Sequence, residues 1–194
     1  MINKIKLIIL LILIIIIGCE QPSKHIEISK EEGKIMSLLV DSMATSFPIP
    51  PPPPKDGSKP KPINIDSIRK VKVEVVIDTI MFPVSKHIEI DKEFSEYQNL
   101  IDSIPSLKAE PIEKKYVKSK RGHTLVFGNS LEDSNVKHSQ IISTSRIAFN
   151  DKKNMAALYG GYSTHPLASH LNLYLLEKKN GIWKIVYKKN IEKS

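Results

Sequence analysis

Cys19 is the only cysteine among the 194 residues of the chain. A single thiol excludes an internal disulfide and a zinc–thiolate cluster. Long apolar runs are equally scarce. The longest, Leu7–Ile17, has eleven residues, whereas a helix needs about 20 to cross roughly 30 Å of hydrocarbon. Aromatic side chains make up 6% of the chain and are not interleaved with its basic clusters, so no nucleic-acid partner is expected. No G-x-S-x-G nucleophile elbow occurs, because "FGNSLE" lacks the second glycine. Nor does the spacing of histidines and acids supply a third ligand for a catalytic metal, and no metal or cofactor is expected.

What is present begins at the amino terminus. Lys4 and Lys6 precede the apolar run and the small Gly18 follows it, the layout of an export signal over residues 1–18. The junction Ile16-Ile17-Gly18-Cys19 resembles the lipobox of bacterial lipoproteins. That resemblance implies cleavage between Gly18 and Cys19, diacylglycerol on the Cys19 thiol and a further acyl chain, such as palmitate, on its new amino group. Membrane lipid is then a partner through the modified Cys19. Two or more chains hold stably where one does not, since each buried methylene contributes about 0.8 kcal/mol. The expected location is the cell membrane or outer membrane, facing the periplasm or the exterior. An oxidising compartment also suits a chain with no unpaired thiol left over.

Removing residues 1–18 takes away two lysines and no acid, so the formal charge falls from +8 to +6. Attraction to an anionic envelope surface accounts for such a mild excess.

Along the chain, residues 19–28 read as a tether, and Ser29-Lys30-Glu31-Glu32 has capping-box spacing. Ile35, Met36, Leu39, Val40 and Met43 then recur with helical period, predicting a helix over 29–47. "PIPPPPP" at 48–54 and "KDGSKPKP" at 55–62 predict a proline-rich linker over 48–64. As a spacer, about seven residues at about 3.1 Å each would hold the next domain some 20 Å farther from its anchor.

Residues 65–194 read as one α+β domain. "VKVEVVIDTIMF" alternates as a strand, "DKEFSEYQNLIDSI" has an Asp91 cap and helical spacing, and "HTLVFGN" is a short strand. "IISTSRIAF", "MAALYGGYS", "LNLYLLEK" and "IWKIVYKK" predict an antiparallel meander, with "THPLASH" as a loop and Asn180-Gly181 as a tight turn. Trp183, Ile185 and Tyr187 alternate with Lys184 and Lys188, predicting one packed and one wet face. Four to six antiparallel strands against one or two helices follow.

The stretches "SRIAFNDKKNMAALYGGY" and "LNLYLLEKKNGIWKIV" resemble the carboxyl-terminal signature of small lipoproteins from flavobacteria and related Gram-negative bacteria. The likeness extends loosely over the proline tract and "FSEYQNLIDSI". It implies an envelope address and no particular activity. Relatives carry a Cys- and Gly-rich connection where this chain has "YSTHPLASHL", so no thiol role carries over. The "NGIWKIV" ending also resembles the last hairpin of NTF2-like domains, which makes an NTF2-like arrangement the candidate fold.

Candidate ligand-facing residues are Arg146, Tyr162, His165 and His170. The two histidines flank Ser169 and follow Ser163 and Thr164, the densest group of reactive side chains. Arg146 inside an apolar strand calls for a carboxylate partner or a ligand. Tyr159, Tyr162 and Tyr174 sit on neighbouring strands, where they either line a pocket or pack across the sheet. Two functions fit: a non-catalytic binding module for an envelope protein or glycan, or an envelope hydrolase using the 163–170 loop.

Overall fold

The computed structural model describes residues 21–44, 64–84, 88–128, 140–165 and 168–193. Helix α1 spans Gln21–Met43. Pro22 lies in its first turn, where a missing N–H leaves no hydrogen bond unmade. The helix therefore starts eight residues before Ser29, and residues 21–28 are its first turns, not a tether. Ser29 and Glu32 do not cap it because both lie inside the helix, well past its first turn. Residues 45–63, which include most of the proline tract, lie outside the described residues, as do Gly18 and Cys19.

After Asn64, whose Oδ1 accepts from the Asp66 and Ser67 amides at 3.0 and 3.2 Å, comes the short α2 (Ile65–Lys70). Strand β1 (Glu74–Asp78) follows. The helix expected near 91–104 is a 3-10 turn (Lys92–Tyr97), α3 (Gln98–Ser103) and a second 3-10 turn (Ile104–Ser106). Asp91 caps it through its carbonyl, to Phe94 N at 2.9 Å, and not through its side chain. The remaining strands are β2 (Thr124–Gly128), β3 (Gln140–Thr144), β4 (Ala148–Phe149), β5 (Met155–His165), β6 (Ala168–Lys179) and β7 (Ile182–Lys193).

One mixed sheet runs in the order β2-β1-β3-β5-β6-β7, with β4 beside β5. The fold is α+β. The expected meander supplies β3, β5, β6 and β7, whereas β1 lies parallel to both β2 and β3. "IISTSRIAF" is two strands because Ser145 interrupts the ladder. Its N–H donates to Tyr159 O and its Oγ accepts from Tyr159 N, both at 2.9 Å. "THPLASH" is mostly strand: β5 continues to His165 and β6 begins at Ala168.

Alternation along β5 and β6 explains how both faces are covered. Ala156, Leu158, Tyr174 and Leu176 face one way and pack with Ile35, Met36, Leu39 and Val40 of α1. Ala157, Tyr159, Leu173 and Leu175 face the other way and pack with Tyr97, Ile101 and Ile104. Burial on both sides is why "LNLYLLEK" is apolar almost throughout. Strand β7 departs from simple alternation. Leu176 pairs with Ile185 but Leu175 pairs with Tyr187, so Val186 is an extra, bulged residue. Trp183 and Ile185 thus face α1, while Tyr187 crosses to the opposite side and meets the Phe94 ring at 4.5 Å. The one-wet-face expectation fails on this bulge.

Segment 116–121 straps α1 down. A Cβ on Gly33 would stand 2.3 Å from Tyr116 Cβ, so only glycine permits this crossing. Farther along, Lys118 N donates to Ser37 Oγ at 2.8 Å and Arg121 Nη1 donates to the Asp41 and Ala44 carbonyls at 2.9 and 2.8 Å. The helix before the proline tract and the strands after it thus share one core. Among the described residues no helix is long and apolar enough to cross a membrane.

Candidate functional site: a polar cavity beyond the end of helix α1

Helix α1 ends at Met43, but the sheet face beneath it runs on. Two cross-strand pairs occupy that stretch, Gly160 with Asn172 and Tyr162 with His170, next to the pair of Leu158 and Tyr174 that packs under the helix. A Cβ on Gly160 would come within 2.8 Å of the Tyr174 ring and 3.7 Å of Met43 Cε, so the glycine lets that ring lie across β5. Strand β7 adds two residues in register, Lys188 opposite Tyr174 and Asn190 opposite Asn172. Lys188 is five positions from Trp183, and simple alternation would turn it to the other face. The bulge at Val186 brings it to this one.

The result is a cavity of about 490 Å³ lined by Tyr162, His170, Asn172, Tyr174, Lys188 and Asn190, with Ser42 and Met43 from the helix end. Its size suits a small ligand. Lys188 Nζ stands 5.7 Å from the centre of the Tyr174 ring, within cation–π reach. Asn190 Nδ2 donates to Asn172 Oδ1 at 3.2 Å, which orients the pair. Burial pushes the Tyr162 hydroxyl up to about 12. It does the same for Tyr174, where the Asn172 amide pulls against the rise. Both phenols therefore stay protonated at neutral pH. Among the described residues, no acidic side chain lines the cavity. Histidine, lysine and amides without a carboxylate favour a polar ligand of neutral or negative charge.

Of the four candidate ligand-facing residues, the cavity gathers Tyr162 and His170. Arg146 is elsewhere: its guanidinium sits between Glu32, at 3.2 Å, and Glu110. The partner an arginine in an apolar strand requires is thus two carboxylates, and its role is to tie α1 to the 110 region. His165 ends β5 with its Cα opposite Ala168, and its side chain is outside the described residues. Tyr159 is buried on the opposite face, against α3. Sequence reasoning missed Asn172, Lys188 and Asn190. The adjacent Gly160 and Gly161 in a strand were the available signal, because glycine there marks a close approach.

Ser42 Oγ donates to Leu39 O at 2.9 Å, as a helical serine does. Among the described residues that line the cavity, none is a carboxylate that could orient His170 as a base. Among the described residues, no three His, Cys, Asp or Glu side chains converge as a metal site would need. No protein-family model, no curated protein and no solved structure matches the chain.

Proposed function

We propose that the chain is a lipid-anchored envelope protein, held through Cys19, whose folded body is a non-catalytic module that binds a small polar or anionic ligand in the cavity at the end of α1. One observation carries the binding reading. A cavity of about 490 Å³ is lined by histidine, lysine, two asparagines and two protonated tyrosines with no carboxylate among its described lining. Such a set offers hydrogen bonds and positive charge but no base-and-acid pair. Anionic sugars and sugar phosphates of the envelope have matching chemistry. The Ile16–Cys19 junction supports the anchor.

Two measurements test the two halves. A Cys19→Ser chain should stay an uncleaved precursor without lipid label; normal processing and labelling would remove the anchor. Thermal shift against a panel of anionic sugars and sugar phosphates should yield a ligand that stabilises the chain. At about 100 times its Kd the gain is about 2.7 kcal/mol, or roughly 5–10 °C in Tm for a domain of this size. The shift should vanish in Lys188→Ala and Asn190→Ala. A ligand whose effect survives both changes binds elsewhere and overturns the cavity as the site. Turnover of a panel member that is lost with His170→Ala would favour the hydrolase instead.

A further inference from the structure

A second recess lies on the outer side of α1. Lys34, Leu38 and Asp41 recur there at helical spacing, turned away from Ile35, Met36, Leu39 and Val40, which pack on the sheet. A groove of about 410 Å³ runs between this helix face, the strap and the 181–183 tip of the last hairpin, and it shares no lining residue with the polar cavity. Its size suits a small ligand. Half-buried Leu38 and 58% exposed Ile182 form its aliphatic walls. The two rings in the lining already carry a lysine each: Lys178 Nζ stands 5.6 Å from the Trp183 ring centre, and Lys115 Nζ 5.0 Å from that of Tyr116. Trp183 is also only 5% exposed, so its indole offers no open face for a sugar or an aromatic ring to stack on. Leu38 and Ile182 are the apolar surfaces left to a ligand.

The charge around the groove is one-sided. Lys118 N donates to Ser37 Oγ at 2.8 Å and Lys120 N to Asp41 Oδ2 at 2.9 Å, which pins the strap with both lysine side chains in the groove lining. Among the described residues neither of these amines pairs with a carboxylate. The acid in the lining is committed, because Asp41 accepts from Ser119 Oγ at 2.6 Å as well as from the Lys120 amide. Lys34 is held by Glu31 at 2.7 Å. Aliphatic walls below two uncommitted amines match a molecule with an alkyl tail and an anionic head. We propose that this groove is a second ligand site, for a single-chain anionic amphiphile such as a fatty-acid carboxylate. The tail lies along Leu38 and Ile182 and the head reaches Lys118 and Lys120. The site depends neither on the ligand of the polar cavity nor on the Cys19 anchor.

Trp183 is the only tryptophan of the chain and lines the groove, so its emission reports occupancy. The test titrates ω-bromooctanoate, whose bromine quenches indole emission on close approach, into the full chain in phosphatidylcholine vesicles. Quenching should saturate. The uncharged ω-bromooctanol should need roughly ten-fold higher concentration, because it loses the charge-assisted hydrogen bonds to the lysines. In Lys118→Ala/Lys120→Ala the two compounds should bind alike. Ile182→Ser, a change at an exposed position, and Leu38→Gln should each weaken both compounds several-fold. Lys188→Ala, in the polar cavity, should change neither. Quenching that never saturates, that is equal for the two compounds in the wild type, or that falls in Lys188→Ala overturns the site. If neither compound binds and an acidic peptide instead protects Lys118 and Lys120 from acetylation, the groove is a protein interface and the amphiphile assignment fails.

Discussion

The two ends of the α1 face bury polar side chains in opposite ways. Near the start of the helix, Glu31 is 6% exposed, yet its oxygens accept from Trp183 Nε1 at 2.6 Å, Lys34 at 2.7 Å and Lys178 at 2.8 Å. Burial raises its pKa, but those three donors together outweigh burial and hold the carboxyl below the ordinary value. Beyond the end of the helix, Asn172 is as well buried, at 4%, but it faces a cavity shared with His170, Lys188 and Asn190. Polar burial that protein groups answer completely is architecture. Polar burial that faces open volume is available to a ligand.

Breaking the closed end should have the largest effect. Trp183→Ala removes a buried ring and leaves Glu31 without one donor, and about 4 kcal/mol of stability should go in a denaturant melt. Glu31→Ala should cost about 3 kcal/mol by leaving Lys178 and the indole N–H facing an apolar wall. Because the two residues touch, the double variant should lose less than the sum. An additive result would mean the hydrogen bond contributes nothing. Blue-shifted tryptophan emission, resistant to acrylamide, is expected of the native chain; red, readily quenched emission would contradict the burial of Trp183.

Next in size is Gly33→Ala. A methyl group 2.3 Å from Tyr116 Cβ must push the strap off the helix, and about 1–3 kcal/mol should be lost although alanine is the better helix former. A stability gain would show the strap to be loose.

His123 lies between the two extremes. It is 7% exposed, its Nδ1 accepts from Val73 N at 3.2 Å, and its Nε2 is buried with no hydrogen-bond partner. Burial and the Arg121 charge depress its pKa below the ordinary 6.5, with Asp41 opposing. The folded state therefore binds the proton less readily than the unfolded chain. This contribution is intact above about pH 6.5 and shrinks as pH falls through that value toward the folded pKa. Melts between about pH 7 and 5 should show a loss on acidification that is smaller in His123→Gln; equal slopes would remove histidine as the cause.

The smallest stability change belongs to the open end. Lys188→Ala and Asn190→Ala should stay within about 0.5 kcal/mol of wild type while abolishing ligand binding. A large drop in Tm would reclassify these residues with Glu31.

Much of the sheet was legible from sequence, for local reasons. Strands β1, β2, β6 and β7 follow from runs of β-branched and apolar residues bounded by turn signals, and Asn180–Gly181 takes the positive φ values of 51° and 77° that its tight turn demands. The burial of Trp183 followed from its neighbours. What escaped is set by tertiary contact. Residues 21–28 have little apolar pattern, and the start of the helix is supported by Lys153 and Lys178, far away in the chain. Parallel pairing of β1 leaves no mark in its own residues. The Val186 bulge reverses the facing of the residues from Tyr187 to Asn190, so counting by twos from Trp183 placed Tyr187 and Lys188 on the wrong sides and hid the cavity. Tyr162 and His170 were singled out as reactive types, but their meeting is a matter of register.

The indole-to-carboxylate bond between Trp183 and Glu31 joins residues 152 apart in the chain, and it sets an order of events during synthesis. The apolar side of α1 leaves the ribosome long before the hairpin that completes its cover, which is made 152 residues later. Contacts so distant in sequence slow folding, because the long loop must close before any of them forms. Until β6 and β7 arrive, Ile35, Met36 and Leu39 have only part of the sheet to rest on. Assembly of the core is therefore expected to be late and all at once, and chains truncated before Trp183 should leave α1 unprotected against proteolysis.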